Sequence, residues 1–295
     1  MGEWDAWIGR SETRTDRLDS GLVARWCATF DRDAPRDGTA PQGLHWCVGL
    51  PDAPTATLGP DGHPRRDEAA PGFLPPIALP RRMWAASALD FHAPLRVDAP
   101  ITRTTHIAAI TAKQGGSGTL VFVELAHETR CGQALAVSET QTVVYREAAP
   151  VDAAPAPPLP GPDRFDAAAW TLARTIAPSP PLLFRYSALT FNSHRIHYDL
   201  PYTTGQEGYR GLVVHGPLTA SLLLDLARRH LGDNRLTAFR FRGTSPAVAD
   251  EPLHLALRAH DAGLTLGAFA EDGRQIMEAT ASFQGQSSDF PNSTN

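Results

Sequence analysis

The sequence contains very little lysine and cysteine. Lys113 is the only lysine among the 295 residues, so the 27 basic residues are almost all arginine, and the formal net charge is −5. No basic stripe of the kind that binds nucleic acid is present. The three cysteines, Cys27, Cys47 and Cys131, are odd in number and widely spaced, which argues against a disulfide framework or a zinc site. These absences predict a protein of a reducing compartment, with no metal and no nucleic-acid partner.

The sequence also shows no targeting signal and no membrane-spanning segment. Residues 1–20 carry charge from the third position onward and hold no apolar core of a secretory signal. No apolar run approaches the roughly 20 residues that a membrane-spanning helix needs. The sequence therefore predicts a soluble, cytoplasmic protein without a membrane partner.

Proline and alanine mark one boundary in the chain. Residues 147–163, EAAPVDAAPAPPLPGPD, hold almost no large apolar residue and are typical of a semi-rigid linker. They separate a first half, residues 1–146, from a second half, residues 164–295, as two predicted domains. A second irregular stretch, residues 51–80, is predicted as a long loop, and long ordered loops are often functional.

Each half ends in four segments with strand character. In the first half these are LDFHAPL, ITRTTHIAAITAK, TLVFVELAHETRC and ALAVSETQTVVYRE; in the second they are LTAFRFRGTS, PLHLALRAHD, LTLGAFAED and RQIMEATASFQ. Alternating apolar residues and intervening Gly- or Asp-containing turns favour antiparallel pairing. We expect one antiparallel meander per half, which suggests an internal duplication.

One strong helix precedes the strands of the second half. In GPLTASLLLDLARRHLG, Pro217 suits the first turn, basic residues fill the last turn, and Gly232 can end the helix. Its leucines leave little polar surface, so the helix is predicted to be buried. In the first half, residues 41–50, PQGLHWCVGL, are expected to form the shorter counterpart. A buried helix wrapped by antiparallel strands is the α+β arrangement called a hotdog, here predicted twice.

The densest polar cluster lies between residues 184 and 217, FRYSALTFNSHRIHYDLPYTTGQEGYRGLVVHGP. Imidazoles precede the buried helix, and His215-Gly216 opens it. A helix N-terminus presents free N–H groups that stabilise a carbonyl oxygen gaining negative charge. The segment thus supplies titratable groups and an oxyanion site together.

This segment resembles the hydratase motif of the MaoC-like, R-specific enoyl-CoA hydratases, Gly-Asp-x-Asn-Pro-(Ile/Leu)-His-x-Asp followed by His-Gly. Ile196, His197, Asp199 and the pair 215–216 match it, whereas Asn192 stands where the family has its catalytic Asp. The form FNSHRIHYD is similar to a subfamily that includes mitochondrial 3-hydroxyacyl-thioester dehydratases and bacterial mesaconyl-, itaconyl- and 3-methylfumaryl-CoA hydratases. Residues 59–97 resemble the N-terminal hotdog of those proteins, which lacks the motif.

The resemblance implies a double hotdog whose second half is catalytic. It implies His197 as the base that activates water, Asn192 as a residue that orients the same water, and the N–H of Gly216 as the oxyanion donor. No metal or redox cofactor is implied; coenzyme A or an acyl carrier enters as part of the substrate. Supporting roles around these three residues are expected for His194, Arg195, Asp199 and His215.

Alternatives remain for several of these residues. His194 either takes part in proton transfer or supports the site by hydrogen bonding, and Arg195 either binds a substrate carboxylate or holds the loop. Asp199 is interpreted as structural, capping the turn that follows. A metal site of the form HxxHxD is a minority interpretation. The remaining histidines are interpreted as surface or hydrogen-bonded core residues: His45, His92, His106, His127, His254 and His260.

Basic residues are expected along the entrance that coenzyme A phosphates use. The candidates are Arg81, Arg82, Arg210, Arg240 and Arg242, together with Arg65 and Arg66 in the long loop.

The predicted reaction is hydration of a 2-enoyl thioester or its reverse. A short branched dicarboxylic acyl-CoA and a longer chain of fatty-acid synthesis are the two substrate hypotheses. A polar or arginine-bearing pocket end would favour the first, and a long apolar tunnel the second. A hotdog thioesterase and a non-catalytic acyl-binding protein stay open as further alternatives. A homodimer is possible on this pattern, although two hotdogs in one chain already reproduce a dimer.

Overall fold

The computed structural model describes residues 3–65, 72–115, 118–147 and 158–284. Within these ranges the chain forms one ten-stranded antiparallel sheet with α-helices packed against it. The strands of the first half are β1 Ser11–Arg17, β2 Arg81–Phe91, β3 Pro100–Gly115, β4 Gly118–Cys131 and β5 Ala134–Arg146. Those of the second half are β6 Leu172–Ile176, β7 Leu236–Gly243, β8 Leu253–His260, β9 Gly263–Ala270 and β10 Gln275–Phe283. The helices are α1 Ser20–Thr29, α2 Pro180–Leu189, α3 Leu200–Gly205 and α4 Gly216–Leu231.

The strand order is β1-β3-β4-β5-β2-β7-β10-β9-β8-β6. From each edge to the centre, the five strands of a half follow the same order: first, third, fourth, fifth and second in the chain. This symmetry is what an internal duplication predicts. The expected four-stranded meander is wrong in one respect, because the first strand of each set does not pair with the second. Instead β2 crosses over to pair with β5, and β7 pairs with β10. The turns alone could not predict this crossing, since it depends on long connections.

The two halves meet along a single antiparallel pair, β2 with β7. Ala86 lies opposite Arg242 and Asp90 lies opposite Ala238. Because the inner strands of both halves are paired, neither exposes an unpaired edge at the centre of the molecule. The two hotdogs therefore share one continuous sheet.

Helix α4 is buried, as its leucines predict. Every residue from Leu218 to Ala227 is buried, and the helix packs against β8, β9 and β10 of its own half and against β2 of the other. Pro217 occupies its first turn, and Gly232, with φ of 91°, lies immediately after its last residue. One helix thereby closes the core of the second half and contacts the strand that joins the halves.

The prediction of a helix at residues 41–50 is wrong in its extent. Only one 3-10 turn forms there, Leu44–Cys47, and all four of its residues are buried. Two helices that we did not predict, α1 and α2, instead occupy equivalent places after the edge strands β1 and β6. Asp19 and Ser179 cap them by accepting hydrogen bonds from Leu22 N and Leu182 N. Capping by a short polar side chain stabilises a helix start.

Two predicted connections fall partly outside the described residues. Of the linker 147–163, residues 148–157 lie outside them, and so do residues 116–117 of the β3–β4 turn and Arg66 of the long loop.

Cys27, Cys47 and Cys131 are free thiols. In the ranges described, no helix has both the length and the apolarity that crossing a membrane requires.

A buried carboxylate organises the core of the first half. Glu139 accepts hydrogen bonds from Trp46 Nε1 at 3.2 Å and from Ser87 Oγ at 2.6 Å, and His45 Nε2 lies 3.6 Å from its Oε2. Burial alone would raise the pKa of Glu139, but the nearby His45, His127 and Arg103 lower it to about 2. The interpretation of His45 as a core residue agrees with this network.

We expect the α4 core to dominate stability. Replacing Leu223, which is fully buried, by Ala should lower the free energy of unfolding by about 2–5 kcal/mol through lost burial and the cavity left behind. Phe184→Ala is the control, since that ring is 67% exposed and its loss should cost less than about 1 kcal/mol. Urea titration of both variants measures the difference, and equal losses would contradict the packing described here.

Candidate active site

Local hydrogen bonds fold the polar segment after α2 into a compact loop. Phe191 has a positive φ of 48°, and Asn192 N then donates to Ser187 O. The side-chain oxygen of Asn192 accepts from His194 N at 2.9 Å, which is an Asx turn. A 3-10 turn, Arg195–His197, follows directly. The Asn192 amide nitrogen makes no hydrogen bond to any described residue and stays available to a ligand.

Arg195 and Asp199 hold this loop in place. Asp199 Oδ1 accepts from Tyr202 N at the start of α3, and its Oδ2 receives two hydrogen bonds from the Arg195 guanidinium. The guanidinium also lies over the Tyr202 ring, with Cζ 4.1 Å from the centroid, and donates to Pro60 O. The geometry favours a structural role for both residues over binding of a substrate carboxylate.

His197 is held as a neutral base. Its ring is buried, and Nδ1 lies 2.7 Å from Val213 O. Because a carbonyl oxygen only accepts, Nδ1 carries the proton and Nε2 keeps a free lone pair. Burial lowers the pKa of His197 to about 4, against the opposing effect of the Val213 carbonyl. The imidazole is therefore unprotonated at neutral pH.

His215 and Gly216 lie directly beside this base. The ring of His215 stacks on that of His197, with centroids 3.5 Å apart, and its Nε2 lies 2.8 Å from Ser187 Oγ. Burial holds the pKa of His215 well below its usual value, so this ring is also neutral. Gly216 begins α4, and no described residue accepts a hydrogen bond from its N–H. A basic nitrogen and a free helix N-terminus thus adjoin each other.

Two residues of the long loop in the first half reach the same site. The rings of His63 and His194 have centroids 4.2 Å apart, and His194 lies edge-on to His197 at 5.5 Å. Asp61 Oδ2 lies 3.0 Å from His63 Nδ1, and Asp61 Oδ1 accepts a hydrogen bond from His63 N at 3.0 Å. Burial and then the charges of His63, His197 and Arg82 lower the pKa of His194 to about 2, against the opposing charge of Asp61. Sequence reasoning missed Asp61 and His63; the polar run GPDGHP in the long loop was the available signal.

Backbone contacts fasten this loop to the second half. Arg195 N donates to Asp61 O at 2.9 Å, and Ser193 Oγ donates to Gly62 O at 2.6 Å. Gly62 has a φ of 88°, and a Cβ there would overlap the carbonyl oxygen of Ser193. Only glycine fits this close approach. The two halves are therefore joined at the site by the loop as well as by the sheet.

The HxxHxD metal interpretation does not match the observed grouping. Within the residues described, the one set of three whose ligand atoms lie within 4.8 Å of one another is Asp61, His63 and His194. Asp199 is instead paired with Arg195. Asp61 Oδ2 and His63 Nδ1 lie within hydrogen-bond distance of each other, at 3.0 Å.

The candidate arginines fall into two groups. Arg81 and Arg82 begin β2. Arg81 Nε lies 3.2 Å from Oε2 of Glu207, a residue of the connection between α3 and α4. The other three form ion pairs with carboxylates elsewhere: Arg210 with Glu251, Arg240 with Asp90, and Arg242 with Glu278. Arg240 and Arg242 alternate along β7 with Phe239 and Phe241, which face the core, so they lie on the outer face of the sheet. The structure does not bring these three to His197, and their assignment to substrate binding stays a prediction.

Comparison with solved structures identifies the class of this molecule. HtdX of Mycobacterium tuberculosis superimposes with a TM-score of 0.67 at 17% identity, covering 93% of this chain and all of that one. A second Mycobacterium tuberculosis protein, described as a double hotdog fold, matches with a TM-score of 0.54 at 17% identity over 93% and 95% of the two chains. The chain is a double hotdog.

Sequence comparison gives the family. The profile of hydroxyacyl-thioester dehydratase type 2 matches residues 43–249, and the chain belongs to that family. A mesaconyl-C(4)-CoA hydratase of Chloroflexus aurantiacus is 43% identical over 288 residues, which cover 96% of this chain and 99% of the relative. The activity is therefore that of a hydratase/dehydratase acting on thioesters, as the motif FNSHRIHYD predicted.

Docking of the long loop should matter for turnover more than for folding. Gly62→Ala forces the loop away from Ser193, so we expect kcat to fall at least about tenfold, because small displacements of site residues are costly. Gly38→Ala is the matched control, since Gly38 also has a positive φ, of 74°, but a Cβ there meets nothing within 4 Å. Steady-state kinetics and thermal melting of both variants test this. Similar kcat values for the two would remove the loop from the site.

Proposed function

We propose that this hydro-lyase reversibly adds water to a short branched dicarboxylic enoyl-CoA of the mesaconyl type. The observation that carries the proposal is the buried His197, with a free Nε2, close to the N–H of Gly216, from which no described residue accepts a hydrogen bond. The relative that is 43% identical, named a mesaconyl-C(4)-CoA hydratase, supports the choice of acyl group.

The proposed step balances with water alone. His197 Nε2 takes one proton from water while the oxygen bonds to the β-carbon, and the electron pair of the double bond moves toward the thioester carbonyl. The imidazolium then returns its proton to the α-carbon. The same residue thus removes and delivers one proton, and the product differs from the substrate by one water. General acid–base catalysis of this kind contributes about 10²–10⁴-fold in rate.

Two further groups assist this step. The N–H of Gly216, at the positive end of α4, would donate to the thioester oxygen as it becomes enolate-like. The side-chain amide of Asn192 would donate to the attacking water, since its carbonyl oxygen is already engaged with His194 N. One lone pair of the water would accept this hydrogen bond and the other would attack.

The alternative is a 3-hydroxyacyl-thioester dehydratase acting on a longer acyl chain. The name of the matching family, hydroxyacyl-thioester dehydratase type 2, favours it. Basic side chains near the histidine cluster oppose it, because an apolar chain packed against a guanidinium would remove its hydration without replacing the hydrogen bonds. Arg82 and His63 are such side chains on the first half.

A substrate panel tests the function directly. Purified protein is mixed with crotonyl-, a medium-chain enoyl-, itaconyl- and mesaconyl-C4-CoA, and the ultraviolet absorbance of the conjugated thioester is followed. We expect the absorbance to fall fastest with mesaconyl-C4-CoA, and His197→Ala to lower the rate at least about 10²-fold because the base is lost. Fastest turnover of the medium-chain thioester would favour the alternative. No turnover of any thioester by folded protein would refute hydration.

The pH profile tests the assignment of His197 as the base. Its pKa is lowered to about 4, so the neutral, active form persists well below the usual titration range of histidine. We expect kcat/KM to stay flat from pH 7.5 to 5.5 and to fall only as the pH approaches 4, since kcat/KM reports the free enzyme. Activity regained after return to pH 7 controls for unfolding. An acidic limb centred near pH 6.5 would contradict the assignment.

A further inference from the structure

The guanidinium of Arg82 lies on the inner face of β2, close to the candidate base. Along this strand Met83 is exposed, whereas Trp84 packs in the core against Trp46 and Phe241. Arg82 is two residues from Trp84 and so points to the same face. The carbonyl of Trp84 lies 3.6 Å from where a Cβ on Gly216 would be, which sets this end of β2 against the start of α4.

Other basic groups around the site are already neutralised. Arg81 pairs with Glu207, Arg195 pairs with Asp199, and His63 is held by Asp61. Arg82 is half-buried, and across the part of the chain that the structure describes its guanidinium has no hydrogen bond and no ion pair. A half-buried guanidinium without a partner has given up part of its hydration with no compensation. Among the described basic residues around the site, Arg82 is therefore the one whose positive charge has no partner.

The proposed substrate supplies a matching negative charge at the required place. In a mesaconyl-C4 thioester the free carboxylate is bonded to the β-carbon, the same carbon that water attacks. Its oxygens must lie beside the water held by His197. His194 is 5.5 Å from His197, ring to ring, and Arg82 acts electrostatically on His194 from β2. A carboxylate and a guanidinium form paired, charge-assisted hydrogen bonds.

We propose that Arg82 binds the free carboxylate of the acyl group and thereby selects dicarboxylic thioesters, with the His63–His194 pair lining the same pocket. This inference rests on the proposed function and adds to it the residue that determines the acyl preference. It also changes the role that the sequence predicted for Arg82, which was contact with the phosphates of coenzyme A. The pantetheine arm keeps those phosphates far from the thioester carbonyl that Gly216 would bind.

The first experiment compares two thioesters in one variant. Arg82→Gln keeps much of the side-chain length and removes the charge. The ratio of kcat/KM for mesaconyl-C4-CoA to that for crotonyl-CoA, which lacks the carboxylate, should fall about 30-fold relative to wild type, the effect expected for one charge-assisted hydrogen-bonded pair. Arg82→Lys should retain an intermediate ratio. Arg81→Gln is the matched control, because Arg81 is already paired with Glu207, and its ratio should stay within about threefold of wild type.

The second experiment measures binding without turnover. Methylsuccinyl-C4-CoA and butyryl-CoA are saturated and cannot be hydrated, so calorimetry reports their affinities alone. In wild type the dicarboxylic ligand should bind more tightly, and Arg82→Gln should remove that preference. Equal weakening of both ligands would indicate contact with coenzyme A and overturn the proposal, as would an unchanged preference. If instead the proposed function is wrong, wild-type protein will hydrate neither mesaconyl-C4-CoA nor crotonyl-CoA. Calorimetry will still measure whether it prefers the dicarboxylic ligand, so the two failures can be told apart.

Discussion

The pairing of β2 with β7 is the contact on which the rest of the molecule depends. It turns two hotdogs into one sheet and places a strand of the first half against the N-terminus of α4 in the second. Every group proposed to act on the acyl chain lies within reach of that junction. The base and the oxyanion donor come from the second half, whereas Arg82 and His63 come from the first. Neither half alone therefore contains all the groups of the proposed site, although the sequence resemblance placed the catalytic residues in the second half.

Burial then determines how the cluster of histidines behaves. His194, His197 and His215 lie ring against ring, and burial lowers the pKa of each, so all three are neutral at pH 7. Three adjacent imidazolium ions would repel one another strongly, and neutrality removes that cost. It also leaves Arg82 as the uncompensated positive charge among the described groups of the site. A weakly basic imidazole is suited to this chemistry, because it must return its proton to carbon as readily as it removes one from water.

Much of this arrangement could be predicted from residues close together in the sequence. The spacing of Asn192, His197 and Gly216 carries the motif, and the leucines and flanking residues of α4 carry the buried helix. What could not be predicted depends on contacts distant in sequence. Asp61 approaches His194 only because Gly62 lets the loop pack on Ser193, and no local pattern records that contact. The short edge strands and the pairing of β2 with β5 could not be predicted for the same reason, since strand pairing across long connections has no local signature.

The two halves share a topology but contribute different groups to the proposed site, and the central element of each half shows why. In the second half α4 supplies sixteen residues, a buried face and a free N-terminus. In the first half the equivalent place holds one 3-10 turn, and the volume is filled by Trp46 and Trp84, whose indoles donate to Glu139 and to the backbone and hydroxyl nearby. A turn of four residues has no helix dipole of consequence. In the proposed mechanism the first half offers no counterpart of the Gly216 N–H, and its long connection before β2 instead reaches the other half, where Gly62 O accepts a hydrogen bond from Ser193 Oγ. The first half thus contributes Arg82, the charge that we assign to substrate selection, to a site whose proposed base and oxyanion donor lie in the second half.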